Sequence, residues 1–236
     1  MNGVMFDNKH SYRDWGLFLK NRPVISPPTP KTVYIDVPGS DGSLDLTESL
    51  TGDVKYENRK IKLEFVVLEA RNRWSNVYSE ILDYIHGQQM RIIFDEDPTY
   101  YYYGRLQVNE WASSKATSTI TVEGLVEPYK NELFGSLDDW EWDPFNFETG
   151  IVRDYENLVV EGTLSFTIEG NRKPVVPSFI VNSSDGEGMT VNYNGQSYNL
   201  KDGTNRVVNI KVKNGTNVFL FTGNGTVSID YRGGRL

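Results

Sequence analysis

The chain has 236 residues, 38% hydrophobic and 13% aromatic, a globular composition long enough for one large domain or two of ordinary size. Its formal charge of −8, from 32 acidic against 24 basic residues, repels a phosphate backbone and disfavours nucleic-acid binding. There is no cysteine, which excludes disulfides, thiolate nucleophiles and cysteine-based metal sites, and no run approaches the ~20 apolar residues that cross a bilayer.

Met1 to Lys9 has neither the basic start nor the apolar stretch of a secretory signal, so the chain is read as soluble. Thr32 to Val37 and Ile61 to Val67 are rich in β-branched and aromatic residues; in the second, Lys60, Lys62 and Glu64 alternate with Ile61, Leu63 and Phe65 as in a half-buried strand. Pro38-Gly39-Ser40-Asp41-Gly42 and Thr51-Gly52-Asp53 between them have turn chemistry. One helical period follows. Trp74, Val77, Tyr78, Ile81, Leu82 and Ile85 form a single apolar stripe, with Gly87 as the stop and His86 expected to bond the last carbonyls. Met90 to Phe94, a turn at Asp95-Glu96-Asp97-Pro98, Tyr100 to Val108 and Ala116 to Val122 then read as a strand meander. Residues 1–134 are assigned to this first domain, a helix packed on a sheet.

Residues 135–150 form an aromatic, acidic connector in which Trp140, Trp142, Phe145 and Phe147 are expected to dock on a domain face. From Asp138 to Glu161 eight acids face one base, Arg153. Residues 151–236 are almost wholly β in signal. Runs begin near Asn157, Thr163, Val175, Met189, Tyr198, Val207, Val218 and Thr226, a spacing that predicts a compact jelly-roll-like sandwich of about eight strands. Asn194-Gly195 is the strongest hairpin signal, and Asp202-Gly203, Asn214-Gly215 and Gly223-Asn224-Gly225 are read as further turns.

Catalysis is poorly provided for. Asp95-Glu96-Asp97, or Glu141 beside Trp140 and Trp142, offers carboxylates for glycoside hydrolysis, but a solvated turn and an acidic connector explain both clusters. A calcium site in the Asp95 to Asp97 turn lacks EF-hand spacing. His10 and His86 are the only histidines, too few for a zinc site, and no G-x-S-x-G elbow or phosphate-cradling glycine loop is present. No cofactor is expected. Tyr193, Tyr198 and Tyr231 on sandwich strands would be a stacking platform for host glycan in the alternative reading, a carbohydrate-binding module; sheet core is the simpler account of them.

The stretch Thr32 to Thr47 (TVYIDVPGSDGSLDLT), continued by Thr51-Gly52, Tyr56-Glu57-Asn58-Arg59, Ile85-His86-Gly87, Phe94-Asp95-Glu96-Asp97 and Tyr103-Gly104-Arg105-Leu106, resembles the phage distal tail protein (Dit) family. Asn205 to Ile210, Lys213 to Asn217 and Ile229-Asp230-Tyr231-Arg232 look like the family's C-terminal half, so the resemblance spans nearly the whole chain. It implies a mainly β protein of two β-sandwich domains: the first with one α-helix and an extended hairpin, forming a hexameric ring, the second galectin-like and outside that ring. The implied role is a non-enzymatic hub at the distal end of the tail tube. The implied partners are the protein itself, the tail-tube protein, a tail-tip or tail-associated lysin protein and, in some relatives, receptor-binding proteins, with no nucleic acid and no membrane. The implied location is the virion tail, after synthesis in the bacterial host cytoplasm. Leu44 and Leu46 in the Pro38 to Asp53 segment, and Trp111 at the Trp111 to Lys115 hairpin tip, are the candidate oligomer contacts, because both segments are turn-rich protrusions between good strands.

Overall fold

The computed structural model describes residues 3–49, 51–138 and 153–236. The described residues are mainly β, with two curled half-barrel sheets, a three-turn helix and a single-turn helix. It divides into two compact units, one of residues up to Asp97 with Tyr102–Pro128, the other of Pro98–Tyr101 with Tyr129–Arg235. The expected docking of Trp140, Trp142, Phe145 and Phe147 falls outside the described residues, as does Glu141.

The first unit opens with β1 (Val4–Phe6), β2 (Lys9–His10) and α1 (Ser11–Trp15), followed by β3 (Leu17–Leu19) and β4 (Val24–Ile25). These elements carry no sequence period because each is only two to five residues long. α1 exists because His10 caps it: ring Nδ1 accepts the N–H groups of Tyr12 and Arg13, each at 3.2 Å, and the His10 N–H donates to Asp14 Oδ2 at 2.6 Å. This is the reciprocal logic of a capping box with imidazole in the serine position, and Gly16 ends the turn at φ 63°. Next come β5 (Pro30–Lys31), β6 (Tyr34–Asp36), β7 (Ser43–Asp45), β8 (Lys55–Tyr56), β9 (Arg59–Val67), α2 (Trp74–Ile85), β10 (Gln89–Phe94), β11 (Asp97–Ser113) and β12 (Ser118–Val126).

The main sheet has the order β2-β1-β10-β11-β12-β9-β3, with β4 also paired to β9. Alternation directs Ile61, Leu63 and Phe65 of β9, and Ile120, Val122 and Val126 of β12, into a core shared with Trp74, Val77, Ile81 and Ile85 of α2. Gly104 and Gly124 sit on adjacent strands, where an added Cβ would fall 2.2 Å from the facing carbonyl oxygen of Leu125 or Arg105; only glycine lets β11 and β12 coil so closely. Gly87 has the predicted positive φ, 76°. His86, however, does not bond the helix carbonyls through its ring: Nδ1 accepts the Val108 N–H at 3.1 Å, so it fastens the helix end to the sheet.

The second unit contains β13 (Lys130–Glu132), β14 (Leu158–Gly170), β15 (Ser178–Ser183), β16 (Met189–Tyr193), β17 (Gln196–Leu200), β18 (Gly203–Arg206), β19 (Gly215–Asp230) and β20 (Gly234–Arg235). Its sheet runs β17-β16-β19-β15-β18, with β14 along the other side of β19. The predicted hairpin is present: Asn194 and Gly195 have φ 51° and 78°, and Tyr193 faces Gln196. Three expectations about the runs fail. The Val207 run is a turn that follows β18, with the Ile210 N–H donating to the Val207 carbonyl at 3.0 Å. The Asn157 and Thr163 runs are one strand, β14, and the Val218 and Thr226 runs are one strand, β19. Gly223-Asn224-Gly225 is therefore not a turn. It is a kink inside β19 where the strand passes from β16 to β15, and a Cβ on Gly225 would lie 2.2 Å from the Asn182 carbonyl oxygen.

Candidate assembly surface

Between β4 and β9 the chain leaves the first unit's main sheet as a ribbon. Its base is the β5–β8 pairing, Pro30 opposite Tyr56 and Lys31 opposite Lys55, with Lys31 Nζ 3.6 Å from Glu57 Oε1. Beyond it β6 and β7 pair as Tyr34 with Asp45, Ile35 with Leu44 and Asp36 with Ser43. Gly39 and Gly42, at φ 82° and 73°, close the turn that Pro38 to Gly42 predicts. Leu46 N–H donates to the Val33 carbonyl at 2.8 Å and Ser43 Oγ donates to Asp36 Oδ1 at 2.5 Å, so the ribbon is hydrogen-bonded within itself.

Alternation gives it two unlike faces. Val33, Ile35 and Val37 share a side with Leu44 and Leu46, while Tyr34, Asp36, Ser43 and Asp45 lie on the other. Val33, Ile35, Val37 and Leu44 are between 44% and 53% exposed, so an apolar sheet face stands uncovered. A two-stranded hairpin is marginal by itself in water, and contiguous apolar surface of this kind marks interaction sites. The acidic face is fixed too. The hydroxyl and backbone N–H of Thr47 hold the Asp45 carboxyl below its ordinary value.

Beside the base of the ribbon lies a groove of about 630 Å³ whose lining includes Val24, Lys60, Lys62, Arg105, Glu123 and Leu125. Lys62 Nζ is 3.1 Å from Glu64 and 3.7 Å from Glu123, and this pairing holds the ammonium above its ordinary pKa. Lys60 makes no ion pair among the described residues. Val24 and Leu125 are 62% and 51% exposed.

Of the predicted contact residues, Leu44 lies on the uncovered face and Leu46 is half-buried at the ribbon's base. Trp111 is engaged inside its own unit: its ring stacks on Tyr78 at 4.4 Å and 23°, and its indole N–H donates to Ser118 Oγ at 2.6 Å. A β-bulge between Val108 and Glu110 causes this. Leu106 and Val108 point inward on even numbers; past the bulge the parity reverses and Trp111, opposite Ile120, turns toward α2. The exposed tip is the polar run Ser114 to Thr117.

Asp95 and Glu96 are held within their own unit. Asp95 accepts the Gly3 N–H at 2.8 Å and lies 3.1 Å from His10 Nε2; because His10 Nδ1 already accepts two backbone N–H groups, the proton sits on Nε2 and is donated to Asp95. Glu96 lies 3.8 Å from Arg22, and no group of three or more His, Asp or Glu able to hold a metal occurs among the described residues. In the second unit Glu132 takes Arg153 through both carboxylate oxygens at 2.5 and 3.1 Å, Asn171 at 2.7 Å and the Gly233 N–H at 2.9 Å. Burial alone would lower the Arg153 pKa; Glu132 outweighs it and holds the guanidinium charged. Tyr193 and Tyr231 are buried in the core and Tyr198 is half-buried, so the three do not form a stacking platform.

No protein-family model matches the chain, and no curated protein matches it. A solved structure does: the Dit protein of phage SPP1, described as a paradigm of hub adsorption apparatus in phages infecting Gram-positive hosts, aligns with TM-score 0.57 and 12% identity over 98% of this chain and 99% of that one. The likeness is one of fold, and it runs through both units.

Proposed function

We propose that this protein is a non-enzymatic structural component of a bacteriophage or prophage tail. In this reading residues 1–134 assemble as a homohexameric ring at the distal end of the tail tube, a baseplate or tail-tip hub. The ring joins the tube protein to the tail-tip or tail-associated lysin protein. Residues 135–150 connect it to a galectin-like sandwich, residues 151–236, which offers attachment to receptor-binding proteins during host adsorption. The observation that carries the reading is the uncovered apolar face of the β6–β7 ribbon, a surface that an isolated subunit leaves in water. The end-to-end likeness in fold to a phage hub protein supports it. Within the ring, Leu44 is the first candidate contact, Leu46 anchors the ribbon's base, and Trp111 backs the end of the β11–β12 hairpin, a separate candidate contact.

Light scattering of the purified chain tests the reading, with six copies per particle expected. Antibody to the chain should label the tube-distal end of tails in electron micrographs. A polypeptide that stays solitary at every concentration and is absent from purified particles would end it.

A further inference from the structure

The geometry points to one occupant for the groove lined by Val24, Lys60, Lys62, Arg105 and Leu125: we infer that it receives the β6–β7 ribbon of a neighbouring copy of this chain. The inference rests on the ring reading and adds which surface meets which. The ribbon's apolar face needs apolar walls, and Val24 and Leu125 stand exposed at the groove. The charges also match. Val33 to Glu48 carries four carboxylates, Asp36, Asp41, Asp45 and Glu48, and no base, whereas the groove lining carries Lys60, Lys62 and Arg105 against Glu123. Lys62 is already engaged by Glu64 and Glu123, and Arg105 donates to the Gly87 carbonyl, which leaves Lys60 as the base that draws in the acidic ribbon as a whole.

The chain's own ribbon stands exposed and does not fill this groove. Ribbon and groove are different surfaces of the same unit, so their pairing is head-to-tail and repeats from copy to copy until the ring closes. A self-complementary patch would stop at two copies.

The absence of cysteine from the chain makes the test clean. In the full-length chain, Leu44→Cys is combined with Leu125→Cys; a second chain combines Ile35→Cys with Val24→Cys, to cover a shift of the ribbon along the groove. Mild oxidation should give a ladder of disulfide-linked multiples that collapses on reduction, while each single-cysteine variant gives none. Separately, Lys60→Glu should weaken assembly about tenfold, because it sets a carboxylate of the groove against the acidic ribbon. If both double variants form particles of native size without a ladder, or close only an internal disulfide, the groove assignment is overturned and the ring reading stands. If the native chain never exceeds one copy, alone or with tube protein, both fall.

Discussion

The β6–β7 ribbon and the β16–β17 hairpin use the same local rules and meet opposite fates. Each is a pair of short alternating strands closed by a turn with glycine at positive φ. In β16–β17 the apolar side, Met189, Val191, Tyr193 and Leu200, is buried with Phe219 and Phe221 in the second unit's core. In β6–β7 the equivalent side, Val33, Ile35, Val37 and Leu44, remains about half in water. At roughly 1.5–3 kcal/mol per fully buried aliphatic side chain, half of the gain from four such residues, on the order of 3–6 kcal/mol, is still unrealised. Period-two alternation thus sorts residues between faces, but what covers a face is decided by the rest of the assembly.

The largest test of this contrast is a carboxylate inside each ribbon. Val191→Asp buries an unpaired charge where the native side chain is fully enclosed, and should cost several kcal/mol and abolish cooperative melting of the second unit. Ile35→Asp should change the melting of the dilute subunit by about 0.5 kcal/mol or less, because the site is open to water. Equal losses would erase the distinction between the two ribbons. On assembly the ranking inverts: Leu44→Asp with Leu46→Asp should convert the ring to single subunits with the fold retained, since the ribbon's pairing uses backbone groups. An intact hexamer in light scattering would take the ribbon out of the interface.

A third ribbon lies between these extremes. The end of the β11–β12 hairpin is covered by α2 through Trp111 and Tyr78. Trp111→Ala should therefore lower the stability of the first unit by about 2–4 kcal/mol, somewhat below a fully buried tryptophan, and leave the mass of the particle unchanged at low temperature. Loss of the ring without loss of stability would instead make Trp111 a direct contact.

The sequence was most legible where patterns are long. The stripe from Trp74 to Ile85, the alternation in β9 and the Asn194-Gly195 turn all appear as expected, because each repeats a period or requires positive φ. It was least legible where geometry depends on a single residue. The bulge near Asn109 reverses the parity of Trp111 without any composition cue, and Gly223-Asn224-Gly225 has the chemistry of a turn although β19 continues through it to reach a second partner strand. His10 is a helix cap, a role for which serine, threonine, asparagine and aspartate are the usual signals. The β-branched and aromatic character of Thr32 to Val37 was visible, but the exposure of Val33, Ile35 and Val37 was not, since exposure depends on how far the ribbon stands from the core.

The smallest expected effect concerns two carboxylates in matching traps. Asp45 accepts the Thr47 hydroxyl and N–H, and Asp202 accepts the Ser183 hydroxyl at 2.7 Å and N–H at 2.8 Å; both pKa values are lowered by these bonds. A folded-state value below the unfolded one, about 3.9, means that each bond set stabilises the fold above that pH and is lost as pH falls through the folded value. Carboxyl-carbon NMR titration should find both midpoints below the ordinary aspartate, and Thr47→Ala and Ser183→Ala should each return one of them toward it. Neither midpoint should move with concentration: Asp202 belongs to a unit that covers its own ribbon, and Asp45 lies on the ribbon face opposite the apolar one offered to a neighbour. A midpoint for Asp45 that shifts between subunit and particle would instead bring a charged group of the neighbouring copy onto the face of Tyr34, Asp36, Ser43 and Asp45.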